Sequence, residues 1–179
     1  MIEIEKKWLL VEEDLNTFTS FTLDIFKSHF KYVNYNHLYD YVRTHGDYIE
    51  QHYITSKKLR NKLSSITNIP LKKNKEVRVR FRNDECVLTT KEGNGYERIE
   101  INHIINADDV KFIKNKSSVV KKHRLVIPYD SNLFEFDAYH DRKLLICECE
   151  VEKVQDLQTL PVLGIDVTND KKYKNINLV

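Results

Sequence analysis

Through most of this 179-residue chain, apolar and charged residues alternate one by one, and the charged positions recur in pairs two residues apart. Glu3, Glu5 and Lys7 alternate with Ile2, Ile4 and Trp8; Arg78 and Arg80 with Val77, Val79 and Phe81; Arg98 and Glu100 with Ile99 and Ile101. Lys122 and Arg124 follow the same rule, as do Glu148, Glu150 and Glu152 against Cys147, Cys149 and Val151. A period of two sends successive side chains to opposite faces of a strand, so each segment has one apolar and one charged face. The pattern predicts strands over 2–10, 48–55, 76–83, 85–92, 96–102, 118–127, 132–139 and 143–152. Asn83-Asp84 and Gly93-Asn94-Gly95 supply turn chemistry between three of them.

Helical spacing is rarer. In 16–33, Phe18, Phe21, Ile25, Phe26, Phe30 and Val33 approximate one face. Ala107 to Lys116 reads as a short helix with Asn106 as N-cap and Asp108 and Asp109 in its first turn. Another short helix is expected near 154–160, ending at Pro161, and the Lys- and Asn-rich stretch 56–75 shows no period and reads as a solvated loop. Without a repeat or linker, the chain is expected to be a single domain over 1–179, mainly β (α+β), antiparallel, with helices packed outside.

Composition narrows the function. Lys and Arg number 29 against 27 Asp and Glu, a formal charge of +2, and this near-balance argues against a general nucleic-acid or membrane-surface binder. Three cysteines, Cys86, Cys147 and Cys149, fit neither a disulfide framework nor a CxxC site, and Cys147 and Cys149 are expected side by side on one strand face as small apolar groups. The seven histidines never recur at a ligand spacing such as HxxxH, so zinc is not expected. No apolar run approaches a membrane span and the opening Met1-Ile2-Glu3-Ile4-Glu5 is not a leader, so a soluble, cytoplasmic protein is expected.

One charged strand face is ordinarily a solvated one. Across the whole set, though, arginine pairs and glutamate pairs recur at fixed spacing. Arginine pairs suit fork recognition of phosphate oxygens, and glutamate pairs offer hard oxygen ligands for Mg²⁺ or Mn²⁺. Closing the sheet into a barrel would put both in one lumen, where like charges repel by several kcal/mol in order of magnitude at an effective dielectric of ~20 unless opposite charges or bound ions intervene. A site for a metal–polyphosphate complex follows.

Glu3-Ile4-Glu5-Lys6-Lys7 resembles the N-terminal ExExK signature of the CYTH, or triphosphate tunnel metalloenzyme, superfamily. In order there follow Gln51-His52-Tyr53-Ile54, Val77-Arg78-Val79-Arg80, Leu88-Thr89-Thr90-Lys91, Arg98-Ile99-Glu100, Val120-Lys121-Lys122-His123-Arg124, Phe136-Asp137 and Glu148-Cys149-Glu150. The ending Asp166-Val167-Thr168-Asn169-Asp170, with Tyr173, Asn175 and Leu178, is similar to that of compact bacterial members. The resemblance implies an eight-stranded antiparallel barrel whose charged tunnel binds triphosphates with a divalent metal. Carried over by position, Glu3, Glu5, Glu148 and Glu150 would hold Mg²⁺ or Mn²⁺. Lys7, Arg78, Arg80, Lys91, Lys122 and Arg124 would grip the phosphates, and Arg98, counted with them as substrate-binding, would support Glu100 and Asp137 from the tunnel wall. Glu100 and Asp137 would place a second metal or the attacking water, and Lys122 counts with them in the catalytic set.

The implied activity is a triphosphatase acting on tripolyphosphate, nucleoside triphosphates or both. The alternatives are a class IV-type adenylyl cyclase, an RNA 5′-triphosphatase and a module that binds triphosphates without turnover. Three departures stand out: the family's RxExE ends in Asn102, Asp166 replaces a Glu, and 11–47 and 56–75 are longer than in compact members, leaving room for a lid or a partner surface. Tyr32, Tyr35, Tyr39, Tyr41 and Tyr48 read mainly as a helical packing face, with base stacking as the alternative. No membrane and no DNA are expected as partners, and the oligomeric state, homodimer included, is open.

Overall fold

A computed structural model describes residues 2–11, 35–73, 75–94 and 97–179. The helix expected over 16–33 and Tyr32 lie outside the described residues, as does Gly95 of the second expected turn. In chain order the elements are β1 (Ile2–Leu10), α1 (Tyr35–His45), β2 (Asp47–Tyr53), α2 (Lys57–Thr67), β3 (Glu76–Arg82), β4 (Glu85–Asn94) and β5 (Glu97–Ile104). They continue with the single turn α3 (Ala107–Val110), β6 (Ser118–Tyr129), β7 (Asn132–Tyr139), β8 (Leu145–Val151) and the two-residue β9 (Ile165–Asp166).

The strands hydrogen-bond in the order β5-β4-β3-β2-β6-β7-β8-β1, and β1 pairs back onto β5, closing an eight-stranded barrel. All pairings are antiparallel; the closure is short, Ile2 to Ile99 through Ile4 to Glu97. β9 takes the rest of that edge of β1, opposite Trp8 and Leu9. Below it, the Val167 N–H donates to the Lys7 carbonyl and the Lys7 N–H donates to Thr168 Oγ1. The Asp-Val-Thr stretch thus stitches the C-terminal segment to a charged strand.

The apolar strand faces point outward and are largely covered, except at the β1–β5 closure, where Ile2, Ile99 and Ile101 are exposed. Leu38, Tyr39 and Val42 of α1 pack on Trp8, Leu10, Phe134, Phe136 and Cys147. All three cysteines are free and buried, and burial pushes the Cys149 thiol up to about 12 and Cys86 up to about 11, so they act as small apolar groups. Tyr39 donates its hydroxyl to the Tyr139 carbonyl, Tyr41 stacks on His45, and Tyr48 tilts against His123 and His140.

Residues 57–67, expected to be loop, are helical. Leu63 of α2 is fully buried with Ile54, Val77, Val79 and Leu88, and Leu59 packs beside it. One apolar stripe suffices to hold a helix on a sheet, and the lysines on its other sides concealed the period. Asn68 in the left-handed conformation, φ 57°, ends the helix, and Pro70 follows. Near 154–160 the chain forms a 3-10 turn, Val154–Gln158, instead of an α-helix. Asn106 caps α3 as expected, its side chain accepting from the Asp108 N–H at 2.9 Å. Two positive-φ residues, Asp130 and Ser131, make the tight β6–β7 turn.

Candidate active site

The charged faces line a cavity of about 200 Å³ inside the barrel. Its wall divides into two ionic assemblies made from the same residue types.

In the first, β6, β7, β8 and β1 converge. Asp137 and Lys122 are fully buried and form an ion pair. The Arg124 guanidinium donates from Nε to Asp137 Oδ1 at 2.7 Å and from one terminal nitrogen to Asp137 at 2.6 Å and Glu148 at 2.8 Å; its other terminal nitrogen pairs with Glu135. Glu148 also receives the Lys7 ammonium at 2.6 Å. Burial favours the uncharged form of Glu148, but Lys7, Lys122 and Arg124 overcome it and hold its carboxyl well below the ordinary range. Burial and the neighbouring Arg124 bring Lys122 down to about 8, against the pull of Asp137 and Glu148.

In the second, β1 and β8 face β4 and β5. Lys91 donates to both oxygens of Glu3, at 2.7 and 3.0 Å, and lies 2.5 Å from Glu100. Arg98 reaches Glu5 at 2.6 Å and Glu3 at 3.2 Å. One carboxylate oxygen each from Glu3, Glu5 and Glu150 lie within 4.8 Å of one another. Here the carboxylates outweigh the cations around them. Burial, helped by Glu5 and Glu100, pushes Glu3 up to about 7 although Lys91 and Arg98 oppose it. Burial, then Glu135 and Glu5, raises Glu150 as well. An all-carboxylate trio in this state fits a hard divalent cation such as Mg²⁺ or Mn²⁺, which would relieve the repulsion, and does not resemble a zinc set.

Between the assemblies stand arginines whose donors are not all used. Among the described residues, the buried Nε–H groups of Arg78, Arg80 and Arg98 have no hydrogen-bond partner. Arg78 reaches Thr89 at 3.5 Å and also meets the Tyr53 hydroxyl, and Arg80 lies 3.8 Å from Glu85. Buried donors are ordinarily satisfied, so three unpartnered guanidinium Nε–H groups on one cavity describe a surface shaped for anionic oxygens. An apolar floor underlies them: Tyr53, Val120, Tyr139 and Ile146 pack with Leu178, Tyr173 and Ile176 of the C-terminal segment.

Of the residues singled out from sequence, Glu3, Glu5, Lys7, Arg78, Arg80, Lys91, Arg98, Glu100, Arg124, Glu148 and Glu150 line the cavity; Lys122 and Asp137 sit behind its wall. Glu148 lies in the ion-paired assembly, apart from the carboxylate trio. Asn102, the departure from the family pattern, donates from Nδ2 to Glu100 at 2.7 Å and accepts from Thr89 Oγ1 at 2.7 Å. Burial favours the protonated form of Glu100, but Lys91 and Arg78, with that Asn102 hydrogen bond, bring it down to about 2. Gln51, Glu76, Glu135, Lys174 and Asn175 also line the cavity; Gln51 and Asn175 stand among the motif residues without a site role, and the other three were not singled out. Gln51, Glu76 and Glu135 continue the period-two faces and were readable there; Lys174 and Asn175 come from a segment without strand signal. Tyr39, Tyr41 and Tyr48 do not line it.

No family model matches the sequence, and no curated protein matches it. Solved structures do match the fold. The inorganic triphosphatase NE1496 superimposes with a TM-score of 0.53 at 22% identity, covering 98% of this chain and 93% of its own. A candidate adenylate cyclase from Bacillus halodurans gives a TM-score of 0.55 at 14% identity over 88% of this chain and 84% of its own. The PH1012 protein of Pyrococcus horikoshii gives 0.50 at 16% identity over 87% and 82%. At these identities the likeness is one of fold.

Proposed function

We propose that this chain, which has the barrel fold of an inorganic triphosphatase, is itself a divalent-metal-dependent triphosphatase of the CYTH, or triphosphate tunnel metalloenzyme, superfamily. Its substrate would be tripolyphosphate, a nucleoside triphosphate or both. The observation that carries this reading is the pairing, in one cavity, of orphaned guanidinium donors at Arg78, Arg80 and Arg98 with the under-neutralised trio Glu3, Glu5 and Glu150. Neither half alone selects the substrate; together they match a polyphosphate that carries its own cation.

The residues take distinct roles. Glu3, Glu5 and Glu150 would hold Mg²⁺ or Mn²⁺, which when bound supplies charge neutralisation at the transferring phosphoryl group and lowers the pKa of a coordinated water. Arg78, Arg80, Arg98 and Lys91 hold the phosphate oxygens along the chain, as developing negative charge on a transferring phosphoryl group requires. Lys7, which lies 3.6 Å from Glu5 and 2.6 Å from Glu148, and Arg124 are already ion-paired and present their remaining donors to the same cavity. Lys122 and Asp137 fix Arg124 from behind and act as positioning residues. Glu148 does the same for Lys7 and Arg124 and is assigned to that wall in place of the metal set. Glu100, held ionised, keeps Lys91 aimed into the cavity.

In the reaction a water oxygen bonds to the terminal phosphorus as the bridging P–O bond breaks. Pyrophosphate leaves from tripolyphosphate, or a nucleoside diphosphate from a nucleoside triphosphate, and the water's protons end on orthophosphate and solvent. The test is product identification after incubation with tripolyphosphate and with ATP, each with Mg²⁺, Mn²⁺ or EDTA. Metal-dependent release of orthophosphate supports the reading, and the faster substrate gives its class. Cyclic AMP with pyrophosphate would replace it with the cyclase, and tight binding without product with a binding module.

A further inference from the structure

The near-equal totals of basic and acidic residues hide a segregated charge. Residues 57–75 carry seven basic residues, Lys57, Lys58, Arg60, Lys62, Lys72, Lys73 and Lys75, and no acidic one. Removing these seven from the 29 leaves 22 basic against 27 acidic residues elsewhere, so the rest of the chain is net acidic.

The fold ties part of this charge to one place through Arg60. Arg60 of α2 is committed to structure: Nε donates to the Ile54 carbonyl at 2.8 Å, and one terminal nitrogen to the carbonyls of Lys72 and Lys75 at 2.9 and 2.8 Å. Ile54 lies just before the helix, so this clamp ties the backbone of Lys72 and Lys75 to the start of the helix that carries Lys57 and Lys58. Lys57, Lys58, Lys72 and Lys73 are exposed, and none of them forms an ion pair among the described residues, whereas Lys75 pairs with Glu92 at 3.1 Å.

Helix stability does not explain the placement. The first turn of α2 has lysines where acidic groups would suit the dipole, its N-cap Ser56 makes no side-chain capping bond, and its last turn holds no basic residue. Such a conflict between local preference and fold is expected where a surface serves a partner. The only large exposed hydrophobic residue in 57–75, Ile66, lies near the far end of the helix, about 14 Å along the axis at 1.5 Å per residue. An interfacial helix would need an apolar face next to its lysines, and among the described residues of 57–75 Ile66 alone does not supply one.

We infer that Lys57, Lys58, Lys72 and Lys73 form a docking surface for the sugar–phosphate backbone of a nucleic acid, on the outside of the barrel and separate from the cavity. Four phosphate contacts predict a salt slope near −2.8 for a single strand, so affinity should drop roughly 50-fold between 50 and 200 mM salt. The experiment is fluorescence anisotropy of the full chain in EDTA, with a 20-nucleotide 5′-hydroxyl RNA and a double-stranded DNA of equal length as separate probes. Neither has a triphosphate, so the outcome is independent of the reaction proposed for the cavity. The variant combining Lys57→Gln, Lys58→Gln, Lys72→Gln and Lys73→Gln should keep its thermal midpoint and triphosphatase turnover while losing at least tenfold in affinity and most of the salt slope. The stronger probe names the nucleic acid. No binding at 50 mM salt, unchanged binding by the variant, or binding to phosphatidylserine vesicles but to neither oligonucleotide would overturn the inference.

Discussion

The two ionic assemblies of the cavity use the same lysines, arginines and carboxylates, yet differ in how completely the charges cancel. Around Asp137, every carboxylate faces cations at hydrogen-bond distance, and Glu148 stays ionised in spite of burial. Around Glu3, three carboxylates crowd together and burial drives Glu3 up to about 7. A matched buried network is a wall that holds its members still; a mismatched one stores repulsion that a cation can release. The comparison assigns structure to one side and chemistry to the other.

The sharpest way to break that assignment is to remove charge from the mismatched side. Glu3→Gln combined with Glu5→Gln should lower triphosphatase turnover by roughly two to three orders of magnitude, the scale of losing electrostatic groups at a reacting centre. The thermal midpoint in EDTA should shift less than turnover does, since the repulsion removed offsets the ion pairs that Arg98 and Lys91 lose. Wild-type turnover in this variant would overturn the role given to the trio.

On the matched side the large effect should be on stability. Asp137→Ala leaves Lys122 and Arg124 buried without their shared partner, and breaking such a network costs about 3–5 kcal/mol. Urea denaturation measures it, and a loss below about 1 kcal/mol would mean that the wall is not held by this network.

Arg80 tests the boundary between the two. Its Nε–H is unpartnered, so Arg80→Ala should change thermal stability little while lowering kcat/KM by about 10- to 100-fold, the worth of one charge-assisted hydrogen bond to substrate. A large stability loss with unchanged kinetics would move Arg80 to the structural side.

The smallest effect is on pH dependence. The folded-state value of Glu3, about 7, lies above its ordinary 4.5. Its stabilising contribution to the metal-free protein is therefore fully present below pH 4.5 and lost as pH rises through 7. A divalent cation binding the ionised trio should offset that loss, so the midpoint gained on adding Mg²⁺ or Mn²⁺ should be a few degrees larger at pH 8 than at pH 6. Glu3→Gln should flatten the difference; an equal gain at both pH values in the unaltered protein would separate Glu3 from the cation.

Much of this was legible because strands write their faces into sequence with a period of two. Glu3 and Glu5, Arg78 and Arg80, Arg98 and Glu100, and Glu148 and Glu150 could be assigned to one lumen before any coordinates. The helix over 57–67 was not, since a single buried Leu63 stripe among lysines leaves too weak a 3.6-residue signal. The cavity role of Lys174 and Asn175 was not either, although Asn175 is a motif residue, because nothing local shows that a tail residue enters a cavity through long-range packing of Tyr173, Ile176 and Leu178.

Alternation, then, is a local property of the chain, and it specified which charges share a strand face, while the closed barrel that gathers those faces into one lumen was what the family resemblance implied. Which carboxylate meets which cation depends on strand order and stagger, and these arise from pairings across the whole chain, such as β1 with β8 and β5. That is why Glu148 and Glu150, two residues apart and alike in sequence, part company in space. The stagger sets Glu148 between Lys7 and Arg124, and it sets Glu150 against Glu3 and Glu5, where too few cations are in reach to neutralise it.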